Sequence, residues 1–388
     1  MKRLFLSVFM LLVAFATFAQ SRPKLIVGIA VDQMRWDYLH RYYNLYCEGG
    51  FKRLMNEGFD CENTMINYIP AITAVGHTSI YTGAVPSIHG IQANNFLLNG
   101  KMTYCTADST VSGVGTDSKA GQMSPRNMLT TTIGDELKVA TNFKSRVFGV
   151  SIKDRAAILP AGHAADAAYW IDSKQSKFIT STYYMKQLPA WVEKYNKKIS
   201  KYTSDQISYS PVGNEVTIDM AKNVISNEKL GQQGETDMLC VSFSSTDKIG
   251  HKYGTHCQII QDQFVDLDKR LADFFNYLDQ TIGKDEYLVF LTADHGAANN
   301  ILMNQKHGIP AGGFFYKQEL KDLNTYLQKK YNTTANLARY IMSYNVVLDH
   351  DAIAKAGLKL RTVKNDVVKY FQGKEYVAYA VNMDRVES

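Results

Sequence analysis

Residues 24–32, KLIVGIAVD, carry the reading of the fold. Up to Val31 the run is apolar without alternation, the pattern of a strand buried on both faces of a parallel sheet, and it ends on Asp32. Three later runs repeat the pattern. Residues 145–152, SRVFGVSI, lead into Lys153-Asp154-Arg155; residues 238–243, MLCVSF, lead toward Asp247 and His251; residues 287–291, YLVFL, end at Asp294-His295-Gly296. Between them lie helical patterns at residues 35–57, broken at Gly49-Gly50, at residues 127–140, and at Ile260, Phe264, Leu267, Leu271, Phe274, Leu278 and Ile282, which stop at Gly283. Strands alternating with helices describe an α/β fold, and ligands of open α/β sheets sit outside the carboxyl ends of the strands. Four strand ends carrying Asp, His, Lys or Arg place a functional site there.

The rest of the chain is read around that sheet. Residues 1–19 have the form of a secretory signal, with Lys2 and Arg3 before an apolar run that closes on Thr17-Phe18-Ala19, too short to span a membrane. The expected mature chain is therefore periplasmic or secreted and has no stable membrane anchor. Residues 103–122 read as loop, and residues 168–230, with Tyr and Trp among Lys and Ser, as an outlying cap inserted into a domain covering 24–388. Residues 336–344 suggest a helix and residues 375–381 a strand. A content of 45% hydrophobic and 12% aromatic residues excludes a disordered chain. The net charge of +6, or +4 without Lys2 and Arg3, comes with no long basic run, so nucleic-acid binding has no compositional support. The five cysteines form no CxxC pair, which turns the search for metal ligands away from thiolates.

Residues 67–96, NYIPAITAVGHTSIYTGAVPSIHGIQANNF, place Thr73 at a turn where a helix can begin. A helix N-terminus favours an anionic substrate or a forming alkoxide. Carboxylates and imidazoles without thiolates suit a borderline cation such as zinc. Asp247 and His251 can meet on one helical turn, whereas Asp294 and His295 can share an ion only if the backbone turns at Gly296. Paired ions about 4 Å apart are the usual means of displacing an oxygen at phosphorus. His77 and His89 read as structural or supporting groups.

The segments VDQMRWD, TAVGHTSIYTG, HGIQANN, SIKDR, DKIGH and TADHG resemble, in order, the alkaline phosphatase superfamily. The likeness is to its nucleotide pyrophosphatase/phosphodiesterase branch and the bacterial periplasmic phosphatases with a threonine nucleophile. It implies a central sheet flanked by helices on both faces with an inserted cap, and a zinc-dependent monoesterase acting on small-molecule phosphate esters through a phosphothreonine. Thr73 matches the nucleophile. Asp32, Asp294 and His295 match ligands of one Zn2+, which Thr73 joins, and Asp247 with His251 match two ligands of the other. Asn94 matches a donor to a phosphoryl oxygen, and Lys153 with Arg155 the basic pair of the monoesterases. The third His of the second zinc site has no counterpart after His295, so the resemblance also implies an incomplete C-terminus. A phosphodiesterase or pyrophosphatase, or a truncated non-catalytic metal- or phosphate-binding remnant, are the alternatives. The oligomeric state is not legible.

Overall fold

A computed structural model describes residues 22–385; the expected signal segment, 1–19, lies outside the described residues. The chain falls into two compact units, Met1–Ala298 and Asn299–Ser388. The first is built on β1 (Leu25–Val31), with a hairpin of β2 (Asn95–Leu98) and β3 (Lys101–Tyr104) standing apart from the main sheet. The main sheet continues with β4 (Gly113–Val114), β5 (Val147–Ser151), β6 (Ala167–Asp172), β7 (Lys177–Ser181), β8 (Asp237–Phe243) and β9 (Tyr287–Thr292). Its seven strands run in the order β4-β7-β6-β5-β8-β1-β9. All four apolar runs became strands of this sheet, β5, β8 and β1 inside it and β9 at its edge. They are mutually parallel, with Val31 opposite Phe243, Ala30 opposite both Ser242 and Thr292, and Ser151 opposite Ser242. This register brings the strand ends to one edge of the sheet, and the residues that follow them share that edge.

Helices cover both faces, as alternation of side chains in β1 requires. Leu25, Val27, Ile29 and Val31 join the largest core with Phe264, Leu267, Leu271 and Phe274 of the helix Gln258–Leu278 and Val216, Ala221 and Val224 of the helix Val212–Glu228. Ile26 points to the other face, where Met238, Cys240 and Val147 pack with Tyr81 from the helix Thr73–Thr82.

The stretch expected as an outlying cap, 168–230, differs from that picture. It contains most of β6 and all of β7, both in the main sheet, and its aromatic residues Tyr169, Trp170, Phe178 and Tyr195 are buried. The aromatic residues of β6 and β7 therefore mark sheet packing.

The second unit has its own core of Leu323, Leu327, Leu337, Ile341, Val363, Val367 and Phe371, supplied by the helices Tyr316–Tyr331 and Leu360–Gln372 and a hairpin of β10 (Ala338–Met342) and β11 (Asn345–Leu348). Residues 336–344, expected as a helix, are thus a strand and its turn. Ser343 and Tyr344 take positive φ of 46° and 62°, as a tight two-residue hairpin connection demands. Residues 375–381 form no strand. Among the described residues no helix is long and apolar enough to cross a membrane, and the five cysteines are unpaired.

Candidate active site

Asp32 leaves the end of β1 and Asp294 lies two residues beyond the end of β9; both are fully buried. With His295 they form a cluster whose ligand atoms lie within 4.8 Å of one another. The His295 Nδ1 is held 2.8 Å from the Gly296 carbonyl, which turns Nε2 toward Asp32 Oδ1 at 3.6 Å and Asp294 Oδ2 at 3.5 Å. Those two carboxylate oxygens are buried without a hydrogen-bond partner. Buried polar atoms are normally satisfied, so two orphaned carboxylate oxygens beside an imidazole nitrogen fit a cation. Without one, burial and the neighbouring Asp294 push Asp32 up to about 6, with the Lys153 ammonium opposing them. Burial works the same way on Asp294, but the His77 imidazole together with His295 and Lys153 outweighs it and holds that carboxyl at about 2.

Lys153, the residue that precedes the helix Asp154–Ala161, stands between two carboxylates. Its ammonium is 2.7 Å from Asp32 Oδ2 and 2.6 Å from Asp247 Oδ2. Asp247 sits in the first turn of the helix Ser245–Tyr253, one turn before His251, whose Nε2 is 3.0 Å from Asp247 Oδ1. Burial alone would raise the Asp247 pKa, but His251 and Lys153 hold it well below the usual carboxylate range. Gln33 ties both halves together. Its backbone N–H donates to Asp294 Oδ1 at 3.0 Å and its Nε2 to Asp247 Oδ1 at 2.9 Å. It does so from φ 64°, with its amide so close to Gly250 that a Cβ there would collide with it.

Thr73 is the first residue of the helix Thr73–Thr82 and is buried; Ile72, extended before it, supplies no side-chain cap. The N–H of Ala74 instead donates to Asn94 Oδ1 at 3.0 Å, which leaves the Asn94 amide nitrogen as a donor. His77 fastens this helix to the metal-type cluster. Its Nδ1 is 2.9 Å from the Thr73 carbonyl and 3.2 Å from Asp294 Oδ2, while Nε2 is 2.8 Å from Ser242 Oγ. Gly76 lets the helix approach, since a Cβ there would lie 2.3 Å from the Asp294 carbonyl oxygen. His89 has a different task, with Nε2 3.0 Å from Ser79 Oγ and Nδ1 accepting from the Ile91 N–H.

Of the residues expected from sequence, Asp32, Asp294 and His295 converge; Lys153 joins Asp32 to Asp247; His251 contacts Asp247; Thr73 reaches Asp294 through His77; and Asn94 holds the start of the Thr73 helix. Arg155 is brought instead to the β2–β3 hairpin, where its Nη1 donates to the Tyr104 hydroxyl at 2.9 Å. The sequence reading missed Gln33 and Tyr104. Gln33 lay inside a quoted segment with no chemical signal of its own, and Tyr104 could have been placed from the Asn99-Gly100 turn that predicts its hairpin.

The profile of the family described as Type I phosphodiesterase / nucleotide pyrophosphatase matches residues 26–383. Alkaline phosphatase PafA of Elizabethkingia meningoseptica is 42% identical over 95% of this chain and 77% of its own length. A protein of Myroides odoratus named as a calcium-transporting ATPase is 43% identical over 96% and 78%, and alkaline phosphatase PhoV of Synechococcus elongatus 43% over 94% and 74%. The crystal structure of wild-type PafA superposes with a TM-score of 0.91 at 41% identity, covering 94% of this chain and 80% of that one.

Proposed function

Because the chain belongs to the Type I phosphodiesterase / nucleotide pyrophosphatase family, we propose that it is an exported, zinc-dependent phosphate monoester hydrolase acting on small-molecule esters through a phosphothreonine intermediate. The observation that carries this reading is the pair of orphaned buried oxygens, Asp32 Oδ1 and Asp294 Oδ2, beside a helix that begins on Thr73. The names of the alkaline phosphatase relatives support it.

Asp32, Asp294 and His295, with the Thr73 hydroxyl, would hold one zinc, and Asp247 with His251 a second. Bound zinc supplies Lewis-acid stabilisation to the attacking and leaving oxygens. The chain does the rest by position. Thr73 Oγ attacks phosphorus in line, its bond to phosphorus forms as the ester P–O bond breaks, and the alcohol departs; water then cleaves the phosphothreonine to free phosphate. The amide nitrogen of Asn94 donates to a phosphoryl oxygen, and the Thr73 helix N-terminus faces the same negative charge. Lys153 has spent two of its three N–H donors on Asp32 and Asp247, so one remains for substrate. A monoester dianion offers an oxygen that a diester has capped with carbon, and Lys153 and Arg155 are the donors suited to it.

The test compares p-nitrophenyl phosphate with its methyl diester. Wild-type protein should favour the monoester, and Lys153→Ala or Arg155→Ala should lower monoester turnover by about 2 to 3 kcal/mol, roughly 30- to 150-fold, with far smaller losses on the diester. A wild-type preference for the diester would make the protein a phosphodiesterase.

A further inference from the structure

Arg155 is unusual among the charged groups of this region in having no carboxylate partner. Among the described residues it forms no ion pair, its Nη1 is bonded to the Tyr104 hydroxyl, and its buried Nε has no hydrogen-bond partner. The neighbouring carboxylate, Asp154, is already occupied. Its Oδ1 accepts from the Tyr104 hydroxyl at 2.9 Å and its Oδ2 from Thr106 Oγ1 at 2.5 Å.

We infer that Tyr104 is a positioning residue for phosphate monoester hydrolysis: its phenol, oriented by Asp154, fixes the Arg155 guanidinium while leaving its charge unneutralised for the substrate dianion. This rests on the monoesterase reading above. The chemistry follows from which atom donates. The phenol proton goes to Asp154, so the oxygen lone pairs face Arg155, and a neutral acceptor can hold a guanidinium in plane without cancelling its charge. Burial keeps the phenol pKa far above neutrality, so the hydroxyl retains that proton. Backbone pairing fixes where the phenol stands. Tyr104 lies opposite Asn95 in the β2–β3 hairpin, and the Cys105 N–H donates to the Asn94 carbonyl at 3.0 Å. One hairpin therefore sets the spacing between two groups aimed at the phosphoryl oxygens, Asn94 directly and Arg155 through Tyr104.

Tyr104→Phe removes only the oxygen and keeps the ring. It should lower monoester kcat/KM on the order of tenfold and weaken inorganic phosphate, measured by calorimetric titration, by a similar factor. Diester kcat/KM should change by less than about twofold, the scale expected of a group that acts only through the extra monoester oxygen. Adding Tyr104→Phe to Arg155→Ala should cause no further loss, because the hydroxyl acts through the guanidinium. Asp154→Ala, which leaves the phenol proton without its acceptor, should reproduce the phosphate-binding loss in a folded protein. Equal loss on both substrates, or a loss that adds to that of Arg155→Ala, overturns the role of Tyr104. Arg155→Ala losing both substrates equally would instead overturn the monoesterase reading, and phosphate titration of the single and double variants would still decide whether Tyr104 acts through Arg155.

Discussion

Thr73 is the proposed nucleophile, and its surroundings separate that role from a structural one. No side-chain cap depends on it, and its carbonyl rather than its hydroxyl engages His77. Thr73→Ala should therefore fold normally and lose turnover, while Thr73→Ser retains measurable activity; wild-type turnover by the alanine variant would remove the nucleophile assignment. Gln33 makes the opposite case, because its importance lies in what it holds. Gln33→Gly frees the backbone at φ 64° but deletes the bond to Asp247, so the two effects on stability, each about 1 kcal/mol, should nearly cancel. Zinc affinity measured by competition with a chelator should nevertheless fall. An unchanged affinity would reduce Gln33 to a turn residue. Asp32, Asp247, Asp294 and His295 were legible because charge at the end of an apolar strand is conspicuous. Gln33 was not, because its amide acquires meaning only from Asp247 and Gly250, more than two hundred residues away.

At the level of elements, the same contrast between local and distant information decides what could be read. Strands β1, β5, β8 and β9 announced themselves as unbroken apolar runs, and their parallel register then followed from the alternating helices. Periodicity failed where a short segment satisfies two periods at once. Leu337 and Ile341 are four apart and suit a helix face, yet both are buried in a core where residues 338–342 run as a strand. The close approach of the Thr73–Thr82 helix to Asp294 is another feature that no local pattern reports, and it depends on Gly76. A methyl group there meets backbone, which cannot swing aside as a flexible side chain would. Gly76→Ala should cost about 1 to 3 kcal/mol, visible as a lowered Tm, and should depress kcat because the helix that carries Thr73 must shift away from Asp294. Full activity in a destabilised Gly76→Ala protein would show that this packing supports the fold alone.

For the molecule as a whole, zinc should act on one unit. Asp32, Thr73, Asn94, Lys153, Arg155, Asp247, His251, Asp294 and His295 all precede Ala298, the boundary of the first unit. Within it the two proposed sets of ligands are unequal. Asp32, Asp294 and His295 converge in a buried cluster, whereas the proposed co-ligand of Asp247 is His251, whose side chain is 72% exposed, and among the described residues no third candidate ligand joins them. Each inner ligand lost weakens a metal site steeply, so dialysed protein should retain close to one zinc per chain, with a second bound only when zinc is supplied in excess. Binding to the folded state alone stabilises it by about 4 kcal/mol when zinc exceeds its Kd a thousandfold, and chelation should remove that increment. Asp294→Asn should abolish both the retained ion and the stabilisation. Hydrogen exchange locates the effect, because the second unit closes its own core around Leu323, Leu337 and Phe371. Zinc should slow exchange at amides around Asp32, Thr73 and Asp294 and leave those beyond Ala298 unaffected. Two tightly held ions after dialysis would show that Asp247 and His251 do not bind alone, and zinc-dependent protection beyond Ala298 would overturn the assignment of every ligand to the first unit.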